Sequence, residues 1–144
     1  VIEGVYAVRR GVPVATAADV DRPGIRVGVT DGSAYDLYLT RTLTAAEIVR
    51  GHEGTAVADA SGLEVAAGIR APTEAWAATR PGWAVVEPCF MPIRQALAVP
   101  RGRRGATVDF LRAYVEARKA DGFVAEALAR SGRTDARVAP PAAG

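Results

Sequence analysis

The chain has 144 residues, 49% hydrophobic and 24% charged, which is enough apolar content for one domain with its own core. Its net charge is only +2, and the basic residues are arginines apart from Lys119, scattered except at Arg101, Arg103 and Arg104 and with few aromatics in the chain, so a nucleic-acid partner is not expected. Each long apolar run is broken by Arg, Glu, Gly or Pro, so no segment is predicted to span a membrane.

Taken in order, Val1–Val8 alternates and predicts a strand, followed by a turn over Arg9–Pro13. Thr16 and Asp19 form a T-x-x-D capping pattern that opens a short helical turn through Val20. A loop over Asp21–Gly24 leads into a strand at 25–29, where Ile25, Val27 and Val29 alternate with Arg26 and Gly28. Thr30-Asp31-Gly32 is turn chemistry, and Ser33 with Asp36 is an S-x-x-D cap for a helix from Ala34 to about Leu43. Leu37, Tyr38 and Leu39 cannot share one face, so Tyr35 or Tyr38 is expected at a rim or cleft.

Ala46–Val49 reads as a strand, 51–54 as a loop, and Thr55–Ala60 as an Ala-rich helix with Val57 inward, stopped by Gly62. Glu64–Ile69 is a buried strand of small residues. Pro72 lies in the first turn of the next helix, which carries Trp76 and ends by Pro81-Gly82. Trp83–Val86 is a strand, and Phe90–Val99 is an extended apolar run with Arg94 and Gln95 as polar exceptions. After a turn at 100–105, Thr107–Ala120 is an amphipathic helix with Val108, Leu111, Tyr114 and Val115 on one face. Phe123–Ala129 is a second helix with Phe123, Val124, Ala127 and Leu128 inward, and the tail over 140–144 is expected to be loose.

Alternating strands and helices predict an α/β fold with a small, mostly parallel sheet flanked by helices. Ligands of such sheets sit beyond the carboxyl ends of the strands, where 30–33, Gly68–Arg70 and Phe90–Gln95 should converge. At 25–39 a strand, a glycine loop and a helix start follow one another. Free N–H groups and the helix dipole there can hold an anionic group, or the segment is an ordinary turn with Ser33 as its cap. Cys89 is the only cysteine and His52 the only histidine, so no internal disulfide forms and Cys89 is expected to be a small buried thiol rather than a nucleophile. No His, Cys and carboxylate grouping has metal-ligand spacing, and no cofactor is expected. The chain opens in mid-strand without a leader, as a fragment or truncated form would.

The order of these motifs resembles the second half of type 2 periplasmic solute-binding proteins, the extracellular family 3, polar-amino-acid-type receptors of ABC transporters. GVYAVRRGVPVATAADVDRPGIRVGVTDGSAYDLYL is similar to their crossing strand, DL-type turn, "vgV-x-x-GS" loop and helix. GLEVAAGIRAP stands where they have a strand ending in an acidic residue, and FMPIRQALAVPRGR with FLRAYVEARKADGFVAEALARSG resembles the return strand and C-terminal helices. The resemblance implies a second, ligand-binding lobe at 11–90, with 1–10 and 91–144 as crossing strands and C-terminal helices that belong to or meet a first lobe. It implies a solute-binding component, or a fragment of one, that binds a small polar or anionic solute without chemistry. Its partner would be a membrane permease and its place the periplasm or the cell exterior, with a lipoprotein anchor as one form.

By the same resemblance, Gly32 and Ser33, flanked by Asp31 and Tyr35, would hold the solute's carboxylate. Gly68, Ile69 and Arg70 match the loop where such receptors supply an Asp to an α-ammonium group, yet no acid stands here. Arg70 would then either fork onto an anionic ligand or be a solvated surface arginine. Gln95 either donates to the ligand or satisfies backbone. Exposed strand edges and helix faces would pair two copies of the chain. Two alternatives share the fold: an enzyme similar to cyclohexadienyl dehydratases, with Asp31, Asp36 or Glu87 as its acid or base, and the effector domain of LysR-type regulators.

Overall fold

The computed structural model describes residues 1–103 and 105–142. The elements follow the expected order: β1 Ile2–Arg9, a 3-10 turn Ala17–Asp19, β2 Arg26–Thr30, α1 Ala34–Thr42, β3 Glu47–Gly51, α2 Gly54–Ala60, β4 Val65–Ile69, α3 Arg70–Ala78, β5 Trp83–Ile93, α4 Ala106–Ala120 and α5 Phe123–Arg130. They divide into two units, one over Glu3–Ile93 and one made of Val1–Ile2 with Arg94–Gly144.

The first unit is a five-stranded sheet in the order β3-β2-β4-β1-β5. β2 pairs parallel with both β3 and β4, and β1 pairs antiparallel with β4. The parallel centre was thus expected, and β1, which lies between β4 and β5 and runs antiparallel to β4, makes the sheet mixed. Period-two alternation sorts the core onto two faces. Tyr6, Val8, Val27, Val29, Val65 and Ala67 share one cluster with Tyr35 and Leu39 of α1, while Ala7 and Ala66 share the other with Ala58 of α2 and Ala77 of α3.

The second face is built from small residues because α2 lies very close to it. A Cβ on Gly28 would stand 2.6 Å from the Gly54 carbonyl, and one on Gly54 would stand 2.6 Å from the Ala67 carbonyl. Gly54 therefore seats the first turn of α2 on the seam between β2 and β4. The helix ends as Gly62 implies. Gly62 has φ +58, its N–H donates to the Asp59 carbonyl at 3.3 Å, and the Leu63 N–H donates to the Ala58 carbonyl at 2.8 Å, a Schellman closure. Val57, expected inward, is half-buried; Ala58 fills the core position instead.

β5 runs to Ile93, well beyond the strand expected to end at Val86. Pro88 and Pro92 argue against a central strand, but β5 is the sheet's edge, where a missing N–H is tolerated. Cys89 on it is half-buried rather than buried.

In the second unit, α4 and α5 contain no fully buried residue. Tyr114 and Phe123, expected to face inward, are each 48% exposed, and Phe110 stacks on Tyr114 with ring centroids 6.2 Å apart. The tail is tied down through residue 142. Lys119 Nζ donates to the Pro140 carbonyl at 2.9 Å, the Ala142 N–H donates to Glu116 at 3.3 Å, and Arg137 and Val1 exchange hydrogen bonds of 3.0 and 2.7 Å. Arg104 of the expected turn at 100–105, and positions 143 and 144 of the tail, lie outside the described residues.

Candidate functional site

The carboxyl ends of β2 and β4 lie side by side, and each carries one half of the expected site. After β2 the chain turns through Gly32 at φ +69, a conformation glycine adopts without strain. Ser33 caps α1 as expected, its Oγ accepting from the Asp36 N–H at 3.1 Å. The loop also supplies its own anion. The Asp36 carboxylate accepts from the Gly32 N–H at 2.9 Å and from Arg50 at 3.2 and 3.0 Å. Burial pushes the Asp36 carboxyl up, but the Gly32 N–H and the Arg50 guanidinium outweigh it and hold the group below its ordinary range. The Ser33 N–H is taken by the Thr30 carbonyl at 3.2 Å. What this loop can still offer an anion is the Ser33 hydroxyl proton and the N–H groups of Ala34 and Tyr35, which the first turn of a helix leaves unpaired.

At the end of β4, Arg70 begins α3 and is gathered in by the chain itself. Its guanidinium donates to Glu3 at 2.7 Å, to Glu74 at 2.9 Å, and in a fork to Glu87 at 2.6 and 2.9 Å. Hydrogen bonds from Glu87, then Glu74, raise its already high pKa further, and Arg70 in turn lowers Glu87 below the ordinary carboxylate range. One positive charge therefore faces three negative ones, and the Arg70 fork is occupied by chain carboxylates.

Between these two ends is a cavity of about 290 Å³. Its walls are Thr30 and Tyr35, the start of α2 from Glu53 to Thr55, the end of β4 from Ala67 to Ile69, and the α3 residues Pro72, Thr73 and Trp76. Thr30 Oγ1 and Tyr35 OH are 2.6 Å apart, and the Gly54 N–H donates to Thr30 Oγ1 at 3.1 Å. Whichever hydroxyl of the pair donates to the other, one O–H proton remains for a third partner. Thr73 is 2% exposed as a residue, and its hydroxyl opens onto the cavity with no hydrogen bond to a described residue. It sits directly over Gly68, where a Cβ would collide with its oxygen. The Glu53 side chain precedes α2, makes no cap hydrogen bond, and lines both this cavity and a shallow groove between α2 and α3. Across that groove Arg80 lies over the Trp76 ring at 4.8 Å and pairs with Asp59 at 3.0 Å.

Of the residues expected from sequence, Tyr35, Gly68 and Ile69 line the cavity; Asp31, Gly32, Ser33 and Arg70 stand beside it without lining it. Gln95 is exposed in the extended segment after β5 and belongs to the other unit. Thr30 lies in the 30–33 loop expected at the site, whereas Glu53, Thr55, Thr73 and Trp76 escaped the sequence reading. The available signal was glycine inside β2 and β4 and at the start of α2, Gly28, Gly68 and Gly54, which marks close backbone approach. Among the described residues no cluster of His, Cys, Asp and Glu is placed to hold a metal ion.

The sheet order and the site at the strand ends define a lobe of the type 2 periplasmic solute-binding fold. Solved structures of that fold match this chain. A binding component of an ABC transporter from Wolinella succinogenes, complexed with lysine, is 14% identical with a TM-score of 0.70, covering 90% of this chain and 58% of its own. A mutant of ArgBP from T. maritima is 17% identical with a TM-score of 0.63, over 90% of this chain and 57% of its own. An ancestral cyclohexadienyl dehydratase is 16% identical with a TM-score of 0.50, over 90% of this chain and 56% of its own. The chain thus spans a little over half the length of these proteins. No protein-family model and no curated protein matches it.

Proposed function

We propose that this chain is the solute-binding lobe of a transport receptor, and that a small polar solute binds in the cavity between the ends of β2 and β4 without being chemically changed. Residues 11–90 act as that lobe, with the flanking segments joining it to a second one; the receptor works outside the cytoplasmic membrane and delivers to an ABC permease. The observation that carries this reading is the polar lining left unused by the fold. The Thr30–Tyr35 pair has one spare proton, and the Thr73 hydroxyl reaches the cavity with no hydrogen bond to a described residue. A solute that bonds these groups in place of water gains affinity as it excludes solvent around them. Closure over the solute would follow from its contacts with both lobes. The structural neighbours named for lysine binding and as ArgBP support an amino-acid-like solute.

Calorimetric titration with polar amino acids and small organic acids tests this. Saturable binding is expected, with Thr30→Val and Thr73→Val each weakening it about tenfold, the loss of one buried hydrogen bond. Recovery of the solute unaltered distinguishes binding from dehydration. Conversion of prephenate or arogenate would replace this reading with the enzymatic one.

A further inference from the structure

The reading above leaves open which end of the solute enters the cavity, and the charges around it decide the matter. This inference rests on that reading. Glu53 is the one ionisable side chain in the cavity wall other than the Tyr35 phenol, and its carboxylate has no partner among the described residues. The nearby cations are already committed. Arg70 is shared among three carboxylates, Arg80 is paired with Asp59, and Arg50 is bound to Asp36. The surroundings therefore carry surplus negative charge, and no guanidinium is left to receive an anion. Independently, Thr73, 2% exposed as a residue, presents to the same cavity a hydroxyl that makes no hydrogen bond to a described residue, and hydroxyl oxygens accept from N–H donors. Glu53 is exposed at the mouth of the cavity, where an unpaired carboxylate attracts a cation.

We infer that the cavity receives the cationic side-chain end of the solute, an ammonium or guanidinium group that pairs with Glu53 and donates to the Thr73 hydroxyl. The solute's carboxylate, where it has one, stays outside, toward the Ser33 hydroxyl and the first turn of α1. This reverses the polarity that Arg70 suggested in the sequence.

L-arginine, L-glutamine and L-glutamate form a charge series of similar shape, and titrating each into the chain tests the inference. Arginine is expected to bind at least tenfold more tightly than glutamine, with glutamate weakest. Glu53→Gln should remove most of the arginine preference while leaving glutamine affinity within about twofold. Glu47→Gln removes the same charge from the first residue of β3, away from the cavity wall, and should leave the preference intact. Glutamine or glutamate binding as well as arginine, or a preference that survives Glu53→Gln, overturns the inference while the binding function stands. Failure of all three to bind at millimolar concentration removes the binding function and this inference together.

Discussion

The two edges of the central sheet handle their polar groups in opposite ways. At the amino edge, Glu64 and Asp21 find their counterparts within the chain. Glu64, just before β4, takes a guanidinium fork from Arg26 at 2.9 and 2.8 Å and its backbone N–H at 3.0 Å. Asp21 sits in a nest of N–H groups from Thr44, Ala45 and Ala46 at 2.7 to 3.0 Å. At the carboxyl edge, Thr73, Glu53 and one proton of the Thr30–Tyr35 pair are left over. The first edge serves stability and the second is unfinished until something binds, which is how a sheet of one repeated geometry separates the two tasks.

The comparison can be broken outright at Gly54, which belongs to both tasks because it seats α2 on the β2–β4 seam. Gly54→Ala forces a methyl against the backbone of Gly28, Val29 and Ala67. It is expected to cost about 3 kcal/mol or more of stability, read by urea denaturation, and to abolish solute binding with it. Glu64→Gln separates the tasks. It removes the carboxylate that Arg26 was built around and is expected to cost about 1–2 kcal/mol, with solute affinity unchanged by calorimetry.

Acid should expose the same edge. The Glu64 carboxyl is held at about 2 by the Arg26 fork, which outweighs its desolvation, and Asp21 is held at about 2 by the Ala46 and Ala45 N–H groups. Folded values below the unfolded ones mean that this stability is complete above the ordinary carboxylate range. It is then lost as pH falls from about 4.5 toward 2. A melting-temperature series across that window should show the decline in the natural chain and a shallower one in Glu64→Gln. The smallest expected change in stability is Thr73→Val. Trading a hydroxyl that makes no hydrogen bond to the described residues for a methyl of the same shape should move stability by less than about 1 kcal/mol in either direction, even as binding weakens. A large destabilisation would mean that Thr73 is part of the core rather than of the site.

Most elements were legible because their signals are local. Alternation marked β1, β2 and β4; Ser33 and the Thr16–Asp19 pair marked helix starts; Gly62 marked a helix stop. β5 was cut short because prolines deny a central strand, and only pairing order shows that β5 lies at the edge. Tyr114 and Phe123 were placed inward by periodicity, which says which residues share a face but not whether anything covers that face.

The site was half legible for the same reason. The turn at Asp31-Gly32, the cap at Ser33 and the small residues of β4 follow from steric and hydrogen-bonding rules acting over four or five residues, so the sequence alone determined them. Partner choice is a long-range matter. Arg70 meets Glu3, 67 positions away, and Glu87, 17 away; Gly54 meets Thr30 from 24 positions off. No local rule states which carboxylate reaches a guanidinium first. Only the tertiary structure decided that Arg70 would be spent on its own chain and that Thr73 and Glu53 would be left to face the cavity, because side chains are satisfied in space and not in sequence.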